Sequence, residues 1–474
     1  MNLDKAIEKL MEDYNVAGMS VAIIRNGEIE SVKGYGQRDV AQGLPMTAET
    51  VLPIGSATKT FTSLALGMLA DEGKLDWDRP VISYIPWLKL SSQLLTENVT
   101  TRDLMCHRTG VPRYDLLCIY DVTDDKEAMV RSLEYLETNV PFRTKLQYSN
   151  QMVSLAGYLV EILSGQTWQD FVRARILEPL GMAHTDFEIE SLSKYENTSK
   201  GYVFAGDTYI EPPYIHLGAY APAGAIVSTA EDMALYAKFQ LGDGTWNGER
   251  LISEESLKET HKPQVIGTPY FWEFPEIQSA EYGLGWFTDI YRGVKMINHG
   301  GNTNGFSAQM TLLPGGKDAI VALSNATSSF SVNALGHVFA DEALGVTDIP
   351  DWSARFKEVF TNLMNGMMAG MQARAEAKVP DTTTTLPLED YAGTYSHPGF
   401  GEMVFAMTEQ GLAGTWNGLP AILMHYNYDA FDLMLPVLGQ PVPAQFVFED
   451  KKIKGLEVTV EAAPGIKPAV FARQ

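Results

Sequence analysis

A serine and a lysine three residues apart, in Gly55-Ser56-Ala57-Thr58-Lys59, stand at the mouth of a strongly helical run. Residues i and i+3 share one face of an α-helix, so Lys59 reaches the Ser56 hydroxyl through local geometry alone. A serine hydroxyl is a weak nucleophile at its own pKa and needs an adjacent base. A lysine serves as that base only when burial or a neighbouring cation depresses its pKa. S-x-x-K also arises by chance roughly once in a few hundred residues, and a capping serine beside a solvated lysine is the plainer account of it.

Acyl transfer by serine requires more: a second proton-handling group near the leaving atom, and donors aimed at the developing oxyanion. Tyr148-Ser149-Asn150 precedes a helical pattern, which places Tyr148 on the entering loop and makes Asn150 a candidate N-cap. Asn298-His299-Gly300-Gly301-Asn302 follows the strand-like Gly293-Val294-Lys295-Met296. Glycines there allow a substrate backbone to approach a strand edge and leave N–H groups free for an oxyanion. Taken singly, the first is equally a capped helix and the second a turn with a surface histidine.

The elements that must position these groups read as follows. Phe61, Leu64, Ala65, Met68 and Leu69 recur at helical spacing, and Asp71-Glu72-Gly73 ends the run. Met152, Leu155, Ala156, Leu159, Val160 and Leu163 form the helical face after Asn150. Met19 to Ile24 and Ile29 to Tyr35 are β-rich and separated by Asn26-Gly27, a type I′ hairpin signal. Further strands are expected at about 282–290, 294–299, 306–313 and 318–324. The sheet therefore draws on both ends of the catalytic region, with the helices bearing Ser56 and Asn150 between them. Residues 326 to about 378 read as helical, and their methionine stripe (Met364, Met367, Met368, Met371) reads as core or interface packing. Val379 to Pro387 breaks periodicity with proline at both ends. The expected organisation is a domain over residues 1–378, a linker over 379–388 and a domain over 389–474. The last contains short β runs at 393–395, 403–405, 414–416, 431–434, 446–448 and 456–460, spaced as in a small antiparallel barrel.

The S-x-x-K, Y-x-N and H-x-G elements, in this chain order, resemble the signature of the serine β-lactamase and penicillin-binding-protein superfamily. The nearest branch groups class C β-lactamases, D-aminopeptidases, D-Ala-D-Ala carboxypeptidases, family VIII carboxylesterases and CubicO-type (S12) peptidases. Val99-Thr100-Thr101-Arg102-Asp103-Leu104 through Thr109-Gly110-Val111-Pro112 is similar to that family's T-x-R-x-L-L-x-H-x-S/T-G-L-P segment. Phe171 to Met182, Tyr282-Gly283-Leu284-Gly285-Trp286 and Gly305-Phe306 extend the likeness across residues 1 to about 345. The resemblance implies an α/β (α+β) fold, an antiparallel sheet flanked by helices with an all-helical subdomain. The C-terminal region resembles the lipocalin-like β-barrel of some relatives, on the weak signature Tyr391-Ala392-Gly393-Thr394-Tyr395.

Carried over by position, the resemblance implies that Ser56 attacks a carbonyl and Lys59 takes or holds its proton. Tyr148 shuttles the proton to the leaving group, and Asn150 holds the substrate amide or the lysine. The oxyanion lies between the N–H groups of Ser56 and Asn302, beside Gly300 and Gly301. His299 stands where many relatives have lysine, and a histidine with an ordinary pKa near about 6.5 is mostly neutral at pH 7. Efficient β-lactam hydrolysis is therefore disfavoured. The expected activity is an amide or peptide hydrolase on short or D-amino-acid-containing peptides; a family VIII-type carboxylesterase or weak β-lactamase is the alternative, and a non-catalytic penicillin-binding-like protein the non-enzyme one. Loops 113–147, 184–220 and 262–281 are expected to set substrate preference.

Composition fits such an enzyme. The 474 residues are 45% hydrophobic, and 59 acidic against 36 basic residues give a formal net charge of -23. An acidic surface disfavours nucleic acid and membrane-surface partners. The expected partner is a small-molecule or peptide substrate, with a homo-oligomer open because the barrel of some relatives supports assembly. Cys106 and Cys118 read as free thiols, a disulfide being the lesser alternative. None of the eight histidines has zinc spacing, and no phosphate-loop or dinucleotide fingerprint occurs, so neither metal nor organic cofactor is expected. The amphipathic, charged start implies a cytoplasmic protein if Met1 is native, and a periplasmic or secreted one if a signal peptide has been removed.

Overall fold

A computed structural model describes residues 2–120, 123–267, 272–409, 411–438 and 440–474. Met1, on which the expected location turns, and residues 121–122 and 268–271, in two of the loops expected to set specificity, lie outside the described residues. Strands β1 (Gly18–Arg25) and β2 (Glu28–Asp39) close on Asn26-Gly27 as the hairpin signal requires. On its other side β1 pairs with β6 (Asp318–Ser324), and the sheet continues through β5 (Phe306–Leu313), β4 (Val294–Thr303) and β3 (Phe287–Tyr291), antiparallel throughout. The N-terminal hairpin thus joins a meander contributed by residues some 300 positions away.

The central strands are buried on both faces, and their alternation decides what each face packs against. Val21 and Ile23 join Ile7, Leu10, Phe339, Trp352 and Phe356, from helices α1 (Leu3–Asp13), α6 (Ser331–Ala343) and α7 (Trp352–Glu376). Ala22 and Ile24 face a second cluster with α2 (Thr58–Asp71), α4 (Asn150–Ser164) and α5 (Ala230–Gln240). Each Leu, Ile or Phe buried this way contributes about 1.5–3 kcal/mol of transfer free energy.

Three expectations shift. The strand expected at 282–290 is split, because Gly283 to Trp286 turns onto α2, where the Ser63 hydroxyl donates to the Leu284 carbonyl at 2.5 Å. The next strand runs past residue 299 to Thr303, carrying the glycines within the ladder. The helical stretch 326–378 is two helices, interrupted at 344–351, where Pro350 denies the chain a helical donor. Only the start of α7 is buried, and its methionines Met364, Met367, Met368 and Met371 face outward rather than into the core.

The C-terminal region is a closed eight-stranded barrel, β7 (Gly393–His397) to β14 (Ala469–Arg473), each strand paired with the next and the last with the first. Tyr395, Phe405, Trp416, Phe431, Phe446 and Phe471 fill it. The six runs read from sequence fall on strands; β10 (Leu419–Asn427) and β14 complete the closure. Barrel and helical subdomain share one continuous hydrophobic cluster. Among the described residues no helix is long and apolar enough to cross a membrane.

Candidate active site

Between Thr50 and Leu69 every residue is buried except Ser56. It sits in a single 3-10 turn, Gly55–Ala57, that feeds α2, so its hydroxyl emerges where the rest of the segment is locked in the core. The edge of β4 closes on this turn. A Cβ on Gly301 would lie 1.9 Å from the Ile54 carbonyl oxygen and 2.7 Å from the Ser56 nitrogen, so no larger residue permits that approach. A Cβ on Gly55 would likewise meet the Asn302 amide nitrogen at 2.8 Å. The main chain of Asn302 is thereby brought beside that of Ser56, as an oxyanion site needs.

Lys59 is fully buried, and its three neighbours define its chemistry. Nζ lies 3.0 Å from Ser56 Oγ, 2.7 Å from Asn150 Oδ1 and 2.6 Å from the Ala223 carbonyl oxygen. The last two can only accept, so they take two N–H bonds. For a neutral amine the lone pair is then left for the Ser56 O–H. Burial, with the Arg113 guanidinium adding to it, pulls the Lys59 pKa down to about 7, against the attraction of Cys118 and Asp115. Tyr148 is buried and hydrogen-bonded to Ser56; burial pushes its phenol up to about 12, so it stays protonated. His107 supports it, with the rings 4.3 Å apart, and its Nδ1 accepts the Ser149 N–H at 3.2 Å.

Asn150 is not the N-cap that its position suggested. Ser149 holds the cap position, while Asn150 opens the helix and spends its amide on Lys59 and on Asp115 Oδ1, 3.1 Å away. Asp115 also accepts from Arg113 Nε at 2.5 Å, and the Arg113 guanidinium lies 5.0 Å from the centre of the Tyr148 ring. Ser56, Arg113, Asp115, Asn150, Tyr220 and Asn302 line one cavity of about 270 Å³.

His299 is placed behind Tyr148, 1% exposed and outside the lining of that cavity. Its Nδ1 lies 2.6 Å from the Gly300 carbonyl oxygen, to which it must donate, and Nε2 accepts from Tyr282 Oη at 3.0 Å. Burial, with Lys59 nearby, pulls its pKa to about 3, so the ring is neutral. Gly300 sits against Gln309, away from the cavity. The cavity's arginine, Arg113, and its partner Asp115 are not singled out by any sequence pattern; Arg113 lies one residue past the Thr109-Gly110-Val111-Pro112 segment. Ala223 contributes through its main chain, which leaves no side-chain signal.

Cys106 and Cys118 are both buried thiols not joined in a disulfide, and Gln151 Nε2 donates to Cys118 Sγ at 3.3 Å. Among the described residues one group of possible metal-ligating side chains occurs, Glu188, Glu190 and His216.

Comparison with known proteins gives the family. The sequence matches the family described as Beta-lactamase over residues 3–344, and the Domain of unknown function (DUF3471) over residues 377–473. It is 28% identical over 422 residues, 86% of this chain and 77% of the relative, to the unguisins hydrolase ungD' of Aspergillus campestris. Protein flp of Staphylococcus aureus is 27% identical over 342 residues, 71% of this chain and 65% of that protein. Among solved structures, the octameric penicillin-binding protein homologue from Pyrococcus abyssi superposes with a TM-score of 0.64 at 22% identity, over 98% of this chain and 99% of that one. A class C beta-lactamase gives 0.60 at 23% identity, over 73% of this chain and 95% of that one. With most of its length matched, the chain belongs to the Beta-lactamase family of penicillin-binding-protein-like serine hydrolases.

Proposed function

We propose that this protein hydrolyses amide bonds, foremost in short or D-amino-acid-containing peptides, through an acyl-enzyme on Ser56. The observation that carries the reading is the bonding of Lys59: two acceptors hold its N–H groups, and its lone pair remains for the serine. Ser56 Oγ–H gives its proton to Lys59 Nζ as Oγ bonds to the carbonyl carbon, and the oxyanion is received by the N–H groups of Ser56 and Asn302. As the C–N bond breaks, Tyr148 delivers a proton to the departing nitrogen and is replenished from Lys59. Water then attacks the ester, reversing the proton path and freeing Ser56.

A phenol held near 12 beside a lysine near 7 supports amides, whose leaving group must be protonated. The relative named a hydrolase of unguisins supports hydrolysis as the class of reaction. Esters are the second reading, because they leave without that proton. Since His299 is neutral and buried, position 299 offers no cation to a β-lactam carboxylate. The test is a panel of D- and L-aminoacyl anilides, p-nitrophenyl esters and nitrocefin, run with the wild type and Ser56→Ala. Anilide turnover above ester turnover is expected, together with its loss in Ser56→Ala by about 10⁴-fold or more. Turnover of esters alone would select the second reading, and activity surviving Ser56→Ala would refute both. The barrel and the likeness to the octameric homologue from Pyrococcus abyssi support self-association, which light scattering on the full chain tests.

A further inference from the structure

Arg113, Asp115, Cys118 and Ile119 line one wall of the cavity and belong to the segment Arg113 to Tyr120, most of it helix α3 (Asp115–Tyr120). Its two charged residues reach the reacting groups: Arg113 lies over Tyr148, and Asp115 holds the Asn150 amide that holds Lys59. Between them Tyr114 has a φ of 43°. A bulky side chain tolerates that left-handed conformation only where its surroundings over-determine it. Two groups bind its main chain. Gln151 Nε2, from the first turn of α4, donates to the Tyr114 carbonyl at 2.7 Å. The Tyr114 N–H donates to Glu461 Oε2 at 2.5 Å, and Glu461 belongs to the C-terminal barrel region, 347 positions away.

Other contacts along the same segment also come from the barrel. Trp416 stacks on Tyr120 with ring centres 5.3 Å apart, and Asn417 Nδ2 donates to the Tyr120 carbonyl at 2.7 Å. Phe400 packs near Tyr114 with ring centres 6.5 Å apart. The other carboxylate oxygen of Glu461 is tied to its own turn by the Ala463 N–H at 2.8 Å, so the group is braced before it reaches Tyr114.

We infer that the barrel is a clamp on the active-site wall, and that Glu461 is a positioning residue which fixes Arg113 and Asp115 through the strained Tyr114. It touches no reacting atom. Its effect passes along Tyr114 to Asp115 and Asn150, and so to the orientation and surroundings of Lys59. The consequences for catalysis rest on the proposed function; the mechanical part does not. Loosening the wall admits water, which relieves the burial that is the largest cause of the low Lys59 pKa, and it withdraws Arg113 together with Asp115 and Cys118, whose effects oppose each other; the Lys59 pKa therefore rises. The other titratable groups facing Lys59 are Asp115, Cys118, Tyr148, His107 and His299, and the last three stand on elements the clamp does not hold.

The test uses the full chain with Glu461→Ala, Glu461→Gln and Asn417→Asp, the last keeping the acceptor for the Glu402 N–H while losing the donor to Tyr120. Amide hydrogen exchange of residues 113–120 is compared with exchange in the barrel strands, and kcat and KM are followed from pH 5 to 9. In Glu461→Ala, exchange at 113–120 is expected to accelerate while the barrel strands stay protected. kcat should fall about tenfold with a smaller change in KM, the acid limb should move to higher pH, and Glu461→Gln should restore most of each. Exchange at 113–120 unchanged in both Glu461→Ala and Asn417→Asp overturns the inference; so does faster exchange with kcat and the acid limb unmoved. A wild type without Ser56-dependent turnover would remove the proposed function instead, and the exchange data would still decide the clamp.

Discussion

The two halves of the cavity are built in opposite ways. On one side, Ser56 and Lys59 are a single helical turn apart, and every neighbour of the serine along the chain is buried. On the other side, Arg113 and Asp115 sit on a short irregular segment whose conformation is dictated by α4 and by a barrel more than 280 residues further on. The spacing of nucleophile and base is thus set by local geometry, while Asn150 and the Ala223 carbonyl aim the lysine from other elements. The charges that tune them depend on long-range assembly.

Predictions from this contrast rank by distance from the helix pair. Lys59→Met should lower kcat/KM by about 10³-fold, because it removes the amine placed to take the serine proton; steady-state kinetics on the best anilide measure it, and a loss below tenfold would break the contrast. Tyr148→Phe should cost about 10²-fold on anilides and markedly less on esters, since only the amine leaving group must be protonated. Equal losses on both substrates would argue against the phenol as the acid. Arg113→Met should have the smallest effect on rate, a few-fold at pH 8, with a displaced pH profile. The active form carries neutral Lys59, so kcat/KM rises with pH through about 7 in the wild type. Deleting the neighbouring cation lets Lys59 hold its proton longer, and the acid limb moves up. An unmoved limb in a pH–rate titration would show that burial alone governs the lysine.

The same division explains what could be read from the chain. The helix pair and the hairpin were legible because period and turn chemistry are local: Phe61 to Leu69 and Asn26-Gly27 carry their own geometry. The family fold followed from the order of three short motifs. By position alone Asn150 is a polar residue at a helix start and reads as a cap; the family resemblance adds the substrate amide or the lysine as its partner, and the packing of α2 against α4 puts its Oδ1 on Lys59. His299 shows the same limit, its side chain turned to Tyr282 by a ladder that continues where a turn was one reading. Strand β10 was missed where Pro420 blurs the alternation, and β14 where the chain ends, although barrel closure demands both.

One bond to Lys59 comes from the carbonyl of Ala223. Being main chain, it is kept by any small residue that fits this buried position and carries no side-chain signature of its own. A third of the hydrogen bonding that aims the base is therefore inherited with the path of the backbone rather than with its spelling. Sequence drift at residue 223 can proceed while the base stays aimed, whereas a shift in the course of residues 221–224 would misdirect it with every motif intact.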